Sequence, residues 1–300
     1  MGLQLRQATE ADLPDVHEIW RTAAGAGSGR PPRDVMLSLF RHELATGAMW
    51  IAAGGDGPVG YTAVVTRGAV GFLAEMFVLP MHQSQGVGSA LLRCVLAERA
   101  DLHCTMSSRD PRALSLYVRA GWRPRWPHFL LRQDGTALGA LETSGIRAVV
   151  ADPLDAELAA WDARIGGRFR PEDHAYWREI LSAVPLWFKR AAVTVGYGYV
   201  WHLPAVDEGV RVGLGPIGVS SPDDAVHCVA AALQWIADES GLDAASYHVG
   251  IPGPHPALIP LLRAGFRIRD VETFCCSSDS LFFDPAAYLG LSGLEGTSFF

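Results

Sequence analysis

The chain is nearly devoid of lysine. Lys189 stands alone among 25 basic residues, and the arginine bias reads as GC-rich coding rather than as chemistry. A basic excess is also missing: Asp and Glu number 32 and the formal net charge is −7 at pH 7, which excludes general nucleic-acid binding. The acidity serves solubility and biases the surface mildly towards cationic substrates. No apolar run is long enough to cross a bilayer and no signal peptide is evident, so no membrane partner is expected. Met1-Gly2 opens like a myristoylation site, but Arg6 stands where Ser or Thr is required. The five cysteines, Cys94, Cys104, Cys228, Cys275 and Cys276, are odd in number and lack zinc spacing. Buried reduced thiols, a cytoplasmic setting and no metal are therefore expected.

What remains is an ordinary globular composition, 49% hydrophobic and 19% charged, in 300 residues, enough for two domains. The most informative segment runs Phe77-Val-Leu-Pro-Met-His-Gln-Ser-Gln-Gly-Val-Gly-Ser-Ala-Leu-Leu92. A short apolar run, Gly71 to Leu79, meets Pro80 and then Gln83, Gly86 and Gly88 in Gln-x-x-Gly-x-Gly spacing, followed directly by the helical stretch Ser89 to Ala100. A strand that turns through glycines into a helix aims several backbone N–H groups at one spot beside the positive helix end. Glycines let that backbone approach an anion closely. A phosphate or pyrophosphate is the natural guest; a plain tight turn is the alternative. The loop lacks the Lys-Ser/Thr ending of a P-loop and is not Gly-x-Gly-x-x-Gly, so the two commonest nucleotide readings fall away.

Two further segments agree. Some thirty residues on stands Asp110-Pro-Arg-Ala-Leu-Ser-Leu-Tyr117-Val-Arg-Ala-Gly121-Trp122, and Leu3 to Asp12 reads as a strand leading into a capped helix. Together these resemble the GNAT superfamily of N-acetyltransferases, with the whole pattern, in order, inside residues 1 to about 133. The resemblance implies acetyl-CoA as co-substrate, with its pyrophosphate held by the backbone around Gln83, Ser84, Gln85, Gly86, Val87, Gly88 and Ser89. It also implies that Met76, Phe77 and Val78 pair with the pantetheine arm as with an added strand. Asp110 departs from the family's usual Asn, and its carboxylate accepts but cannot donate, which puts a pantetheine contact there in doubt.

An internal repeat divides the chain. Ala113-Leu114 with Arg119-Ala-Gly-Trp-Arg-Pro-Arg125 recurs at constant offset as Ala257-Leu258 with Arg263-Ala-Gly-Phe-Arg-Ile-Arg269. The strand near Arg6 is echoed around Arg147. Two copies of one domain follow, rather than a solenoid of many short units. The expected domains are 1–135, catalytic and acyl-CoA-binding, and 145–300, a degenerate copy, joined through Gln133 to Gly145. The expected fold is α/β (α+β), each domain a mixed, mostly antiparallel central sheet flanked by helices. In the first copy, helices are expected near 10–24, 34–46, 87–100 and 110–120, with strands at 3–8, 48–53, 58–66, 69–79, 102–107, 122–126 and 128–132. Thr9 with Asp12 makes a capping box, and Gly54 to Gly57 a hairpin turn. The second copy reads as strands near 146–151, 191–202, 209–219, 245–250, 266–271 and 273–283, with helices near 154–165, 172–183, 223–240 and 255–264. Its loop position reads Val219-Ser-Ser-Pro-Asp-Asp-Ala225, without glycine and with two acids that would repel a pyrophosphate. Leu261 stands where the first copy has Tyr117. This copy either shapes the acceptor cleft or serves as a packing partner.

Acyl transfer to an amine needs a base, an oxyanion donor and an acid for the departing thiolate. The resemblance makes Tyr117 the acid; a phenol near 10 can protonate a thiolate near 8.5, though a tyrosine packed for its ring is the bland reading. Glu75 is the base candidate because it interrupts the apolar strand Gly71 to Leu79, where a raised pKa suits proton abstraction. Alternation puts it on the face of Leu73 and Phe77; a structural ion pair is the alternative. His82 reads as an exposed turn residue. Arg112 and Arg119 could meet adenosine phosphates, and Arg33, His42, Trp20, Phe40 and Trp50 could line the acceptor pocket. A small-molecule or peptide amine is the expected acceptor, but the Gly25 to Arg33 loop shows no diagnostic pattern, so antibiotic, polyamine, amino acid, peptide amino terminus and protein lysine all stay open. The rival readings are a non-catalytic acyl-CoA sensor and a homodimer built by the apolar second copy, the latter compatible with either.

Overall fold

In the computed structural model, residues 2–24, 31–135, 141–205, 209–239 and 244–290 are described. The Gly25–Arg30 part of the expected acceptor loop and residues 136–140 of the expected joint lie outside them. The chain packs as two units. Of the described residues, the first takes those up to Arg125 together with Phe274–Asp279; the second takes those of Trp126–Thr273 and 280–290.

The first unit runs β1 (Gln4–Gln7), α1 (Leu13–Ala23), α2 (Arg33–Thr46), β2 (Ala48–Gly54), β3 (Gly57–Arg67), β4 (Val70–Val78), α3 (Val87–Ala97), β5 (Leu102–Ser107) and α4 (Pro111–Arg119). Its strands lie in the order β1-β2-β3-β4-β5, antiparallel except for the parallel pair β4 and β5. The β2–β3 hairpin closes at Gly54 opposite Gly57, whose φ of +121 lies in the region favouring glycine. Before α1, Asp12 reaches back to the Thr9 N–H (2.8 Å) and also takes a two-pronged bond from Arg6 (2.6 and 2.8 Å), tying β1 to the helix start. One face of the sheet is covered by α1 and α2, where Trp20 meets Phe40 and Phe40 meets Tyr61 edge-on. The other face packs Val64 and Leu73 against Leu92 and Val95 of α3 and Tyr117 of α4.

Residues 274–279 complete this unit from near the far end of the chain. Ser277 exchanges two 2.8 Å bonds with the backbone of His103 on β5, Cys275 joins the cluster around Tyr117, and Asp279 pairs with Arg123 and Arg125.

The second unit contains β6 (Arg123–Asp134, from Trp126), β7 (Ile146–Val150), α5 (Ala156–Ile165), α6 (Pro171–Glu179), β8 (Val184–Arg190), β9 (Val193–Ala205), β10 (Gly209–Val219), α7 (Ala225–Glu239), β11 (Ala244–Pro252), α8 (Leu258–Arg263), β12 (Arg267–Cys276, to Thr273) and β13 (Tyr288–Leu289). Its sheet runs β6-β11-β10-β9-β8-β7, with β13 on β10. Helix α7 is buried along its length by Ala225, Cys228, Val229, Ala232 and Ile236. The architecture is the expected one, mostly antiparallel sheet flanked by helices.

Several elements differ from expectation. One strand, β6, replaces the two expected at 122–126 and 128–132: Pro127 stands just outside the ladder with β11, which stops at His128, and its carbonyl accepts from the Gly253 N–H at 2.8 Å without the strand ending there. Strand β8 is absent from the sequence reading; Pro185 and the Lys189-Arg190 end disguise a run that pairs throughout with β9. The strand expected at 273–283 is the end of β12, which stops at Cys276. All five cysteines are free thiols, and all but the half-buried Cys94 are buried. No helix among the described residues is long and apolar enough to cross a membrane.

Candidate functional site

Strand β4 is joined to both neighbours at its start and only to β3 at its end. It pairs with β5 over Val70–Phe72 opposite Leu102–Cys104, while its ladder with β3 continues to Val78. Past Phe72 the Leu73 carbonyl is taken by the Thr105 hydroxyl at 2.8 Å. On the opposite side the register slips one residue between Ala63–Glu75 and Val64–Leu73, leaving Ala74 as the extra residue of a bulge, and the Thr62 hydroxyl accounts for the Glu75 carbonyl at 2.8 Å. Two threonines thus satisfy backbone groups that a regular ladder would have paired. The stretch Met76–Val78 is left half-buried, its β5 side outside the ladder.

The bulge changes which face Glu75 uses. Simple alternation puts it with Leu73; the extra residue sends Leu73 towards α3 and α4, and Glu75 to the side of α1 and α2. There Glu75 is 1% exposed and accepts a 3.3 Å bond from the Tyr61 hydroxyl, and Phe77, which alternation pairs with it, shares that side and stacks on Tyr61, so that of the expected trio only Leu73 faces the other way. Met76 and Val78 point the other way, against the clusters under α3.

Tyr61 and Glu43 are site neighbours that the sequence reading missed. Burial, then the charges of Glu75 and Glu43, push the Tyr61 phenol well above its ordinary value, so it stays protonated and donates to Glu75. Glu43 continues the buried α2 series Met36, Leu39, Phe40, and an acid at that spacing was the available signal.

After Pro80–His82, a single 3-10 turn, the loop passes through Ser84 (φ +61) and Gly86 (φ +86) into α3. A Cβ on Gly86 would meet nothing within 4 Å, so glycine is demanded by the backbone angle alone. No side chain caps α3, whose first-turn N–H groups follow the Gly86 bend. The glutamine side chains brace the loop: Gln83 donates to the Val78 carbonyl (2.9 Å) and Gln85 to that of Met81 (2.7 Å). Val87 is buried, whereas Gln85 and Ser84 are exposed and Gly88 and Ser89 half-buried. Gly88 faces Leu116 of α4 at 3.5 Å from its would-be Cβ. Half-buried His82 ends the 3-10 turn.

Tyr117 is 5% exposed, stacked on Trp122 at 5.3 Å. Burial, followed by the charges of Cys275 and Glu75, raises its phenol above the usual range. Tyr117 and Glu75 therefore sense one another electrostatically although β4 stands between their faces. Asp110 caps α4, accepting from the Arg112 N–H (2.9 Å) and guanidinium (2.7 Å), and these contacts hold it below the usual carboxylate range. Of the remaining candidates, Trp20 and Phe40 are core, Trp50 donates to Glu98 (3.2 Å), and Arg33 and Arg119 are exposed. Among the described residues no group of three or more His, Cys, Asp or Glu is placed to hold a metal ion.

The geometry finds its counterpart in known proteins. The acetyltransferase (GNAT) domain profile matches residues 45–124, which span β2 to α4. An aminoglycoside N(6')-acetyltransferase type 1 of Stenotrophomonas maltophilia is 32% identical over 129 residues, covering 40% of this chain and 82% of that protein. Among solved structures, a putative acetyltransferase from Pyrococcus horikoshii superposes with a TM-score of 0.75 at 19% identity, over 98% of this chain and 96% of its own. A tandem GNAT protein from the clavulanic acid biosynthesis pathway gives a TM-score of 0.65 at 14% identity, over 93% of this chain and 100% of its own. With the strand–loop–helix unit, the relative's coverage and the two-unit match in agreement, the chain belongs to the GNAT acetyltransferases, which use acetyl-CoA, and is built as a tandem of that fold.

Proposed function

We propose that the first unit transfers the acetyl group of acetyl-CoA to a primary amine by direct attack in a ternary complex. The observation that carries this reading is β4 parting from β5 after Phe72 and leading through Ser84 and Gly86 into an uncapped helix. Peptide groups of Met76–Val78 on the parted side suit the amides of a pantetheine arm. The N–H groups of Val87, Gly88 and Ser89, with the loop from Gln83, suit its diphosphate. Bound acetyl-CoA supplies a thioester that the amine opens, forming the C–N bond as the C–S bond breaks.

Each protein group has a task. Tyr117, a phenol that is neutral at pH 7 and that burial keeps protonated, donates its proton to the departing sulfur as the thiolate's charge develops. Glu75 takes the proton of the amine, and its burial implies a relayed transfer through water rather than contact. Tyr61 holds the Glu75 carboxylate in place by donating to it. Asp110 is committed to α4 and Arg112 and contributes to the coenzyme site by fixing that helix start. The net charge of −7 favours a cationic acceptor, and an aminoglycoside, the acceptor class in the relative's name, belongs in the panel beside polyamines, amino acids and peptides.

The test is thiol release measured over such an amine panel, with acetyl-CoA binding followed by calorimetry. Turnover of at least one amine supports the reading. Tight acetyl-CoA binding with no release over the panel replaces it with an acyl-CoA sensor, and absence of binding removes both.

A further inference from the structure

In the second unit, β10 holds the place that β4 holds in the first: each pairs in parallel with the next sheet strand and then leads to a helix. Strand β10 pairs with β11 over Val210–Leu214, and that ladder ends as the one between β4 and β5 does. Beyond it, Ile217 and Gly218 pair antiparallel with Leu289 and Tyr288 of β13, and the Val219 N–H donates to the Ala287 carbonyl at 3.0 Å. We propose that the chain's own segment Asp284–Leu289 occupies in the second unit the slot that the pantetheine arm takes in the first, so that each chain binds a single acetyl-CoA. The comparison with the first slot rests on the function proposed above; the occupancy of the second rests on contacts within its own unit.

A peptide can fill such a slot because it offers amide N–H and C=O groups at strand spacing, as pantetheine does. The segment is built in rather than draped. Tyr288 and Leu289 are fully buried, and Ala287 nearly so. An Asp284 turn sets its approach, with the Ala286 N–H on the carboxylate (2.8 Å) and the Ala287 N–H on the backbone carbonyl (3.0 Å). The Tyr288 hydroxyl accepts from the Arg170 guanidinium at 2.5 Å. Two glycines after α5 admit the segment: a Cβ on Gly167 would come to 1.9 Å from the Phe282 carbonyl oxygen, and one on Gly166 to 3.0 Å from the Tyr288 ring. The diphosphate end is closed as well, since Ser221 accepts from the Asp223 N–H and Asp224 pairs with Arg190 at 2.7 Å before α7 begins.

The experiment uses the intact protein: hydrogen exchange read by mass spectrometry on peptides covering residues 72–80 and 214–220, with and without acetyl-CoA, alongside calorimetric stoichiometry. The expected result is exchange at 217–219 at least ~100-fold slower than in an unstructured peptide before any ligand is added, and unchanged by it. Residues 76–78 slow only on addition, with one site per chain. Fast exchange at 217–219 in the free protein, further slowing there with acetyl-CoA, or two sites per chain overturns the proposal. If acetyl-CoA does not bind at all, the function proposed for the first unit fails by itself. The exchange rate of the free protein then decides the occupancy alone, slow supporting it and fast refuting it.

Discussion

Replacing Asp162 by Asn tests how the second unit is held together. Asp162 is fully buried and accepts from Arg170 Nε (2.6 Å), Arg170 Nη2 (3.0 Å) and the Tyr197 hydroxyl (2.5 Å), with His174 Nε2 at 3.1 Å. Burial works to raise its pKa, but the Arg170 charge and the bonds from His174 and Arg170 outweigh it, leaving the carboxyl far below the ordinary range. Asn keeps the shape and loses the charge, so the buried Arg170 guanidinium loses its ion-pair partner and keeps the weaker influence of the Asp173 charge; breaking such a buried pair costs about 3–5 kcal/mol. For a unit of this size that corresponds to a fall in Tm of roughly 6–20 °C. Urea titrations at pH 7, followed by tryptophan fluorescence and circular dichroism, give the free energy directly. Adding Arg170→Met removes the stranded charge and keeps an apolar chain against Trp177, over which the guanidinium now lies at 4.7 Å. The double variant is expected to recover most of the loss. A single-variant cost below ~1 kcal/mol, or a double variant as unstable as the summed singles, refutes the reasoning. The sign with pH is fixed too: a depressed carboxyl lends stability above its unfolded value of 3.8, lost as pH falls below it, and the Asn variant lacks that acid limb.

Further outcomes are open to measurement. Tyr117→Phe should lower kcat by ~10²-fold or more with acetyl-CoA affinity little changed; unchanged turnover and pH profile would remove Tyr117 from the chemistry. Gly86→Ala and Gly121→Ala meet similar φ (+86 and +88) and no atoms within 4 Å, so each should cost ~1–2 kcal/mol of conformational strain. Only the former should weaken acetyl-CoA binding, by up to ~10-fold as the relaxed loop is bent back, and equal affinities for both variants would sink the loop's assigned role. Burial lowers His255 to about 4 and His128 to about 3, so both are neutral when folded and take up protons on unfolding. Stability is complete above the unfolded value of 6.5 and drains as pH falls, by roughly 3 kcal/mol from His255 alone at pH 4. His255→Asn should flatten that slope in thermal melts between pH 7 and 4.5, and an unaltered slope counts against the assignment.

The elements of the first unit were legible because their signals are local: alternation, a Gly-rich hairpin, a cap, and a glycine loop before an apolar helix. The face of Glu75 was not. A bulge at Ala74 carries no residue signature, since neither Gly nor Pro marks it, and the carbonyls on either side of it are met by Thr62 and Thr105 on neighbouring strands. Glu43 is legible as an acid at the spacing of the buried Met36, Leu39 and Phe40, but that spacing alone does not tell a buried carboxylate from one at the helix edge. Strand β13 has only two residues and no period, so its pairing with β10 becomes visible only once the fold is known.

The first unit has one last tie in time as well as in space. Ser277 and Cys275 belong to it, so β5 gains its outer partner, and Tyr117 its thiol neighbour, only after Trp126–Thr273 of the second unit has left the ribosome. The leading copy therefore matures late, and recombination cannot transplant it as a simple cassette: a gene cut anywhere between the two copies discards its closing residues. Such interleaving makes duplication easy to keep and hard to undo.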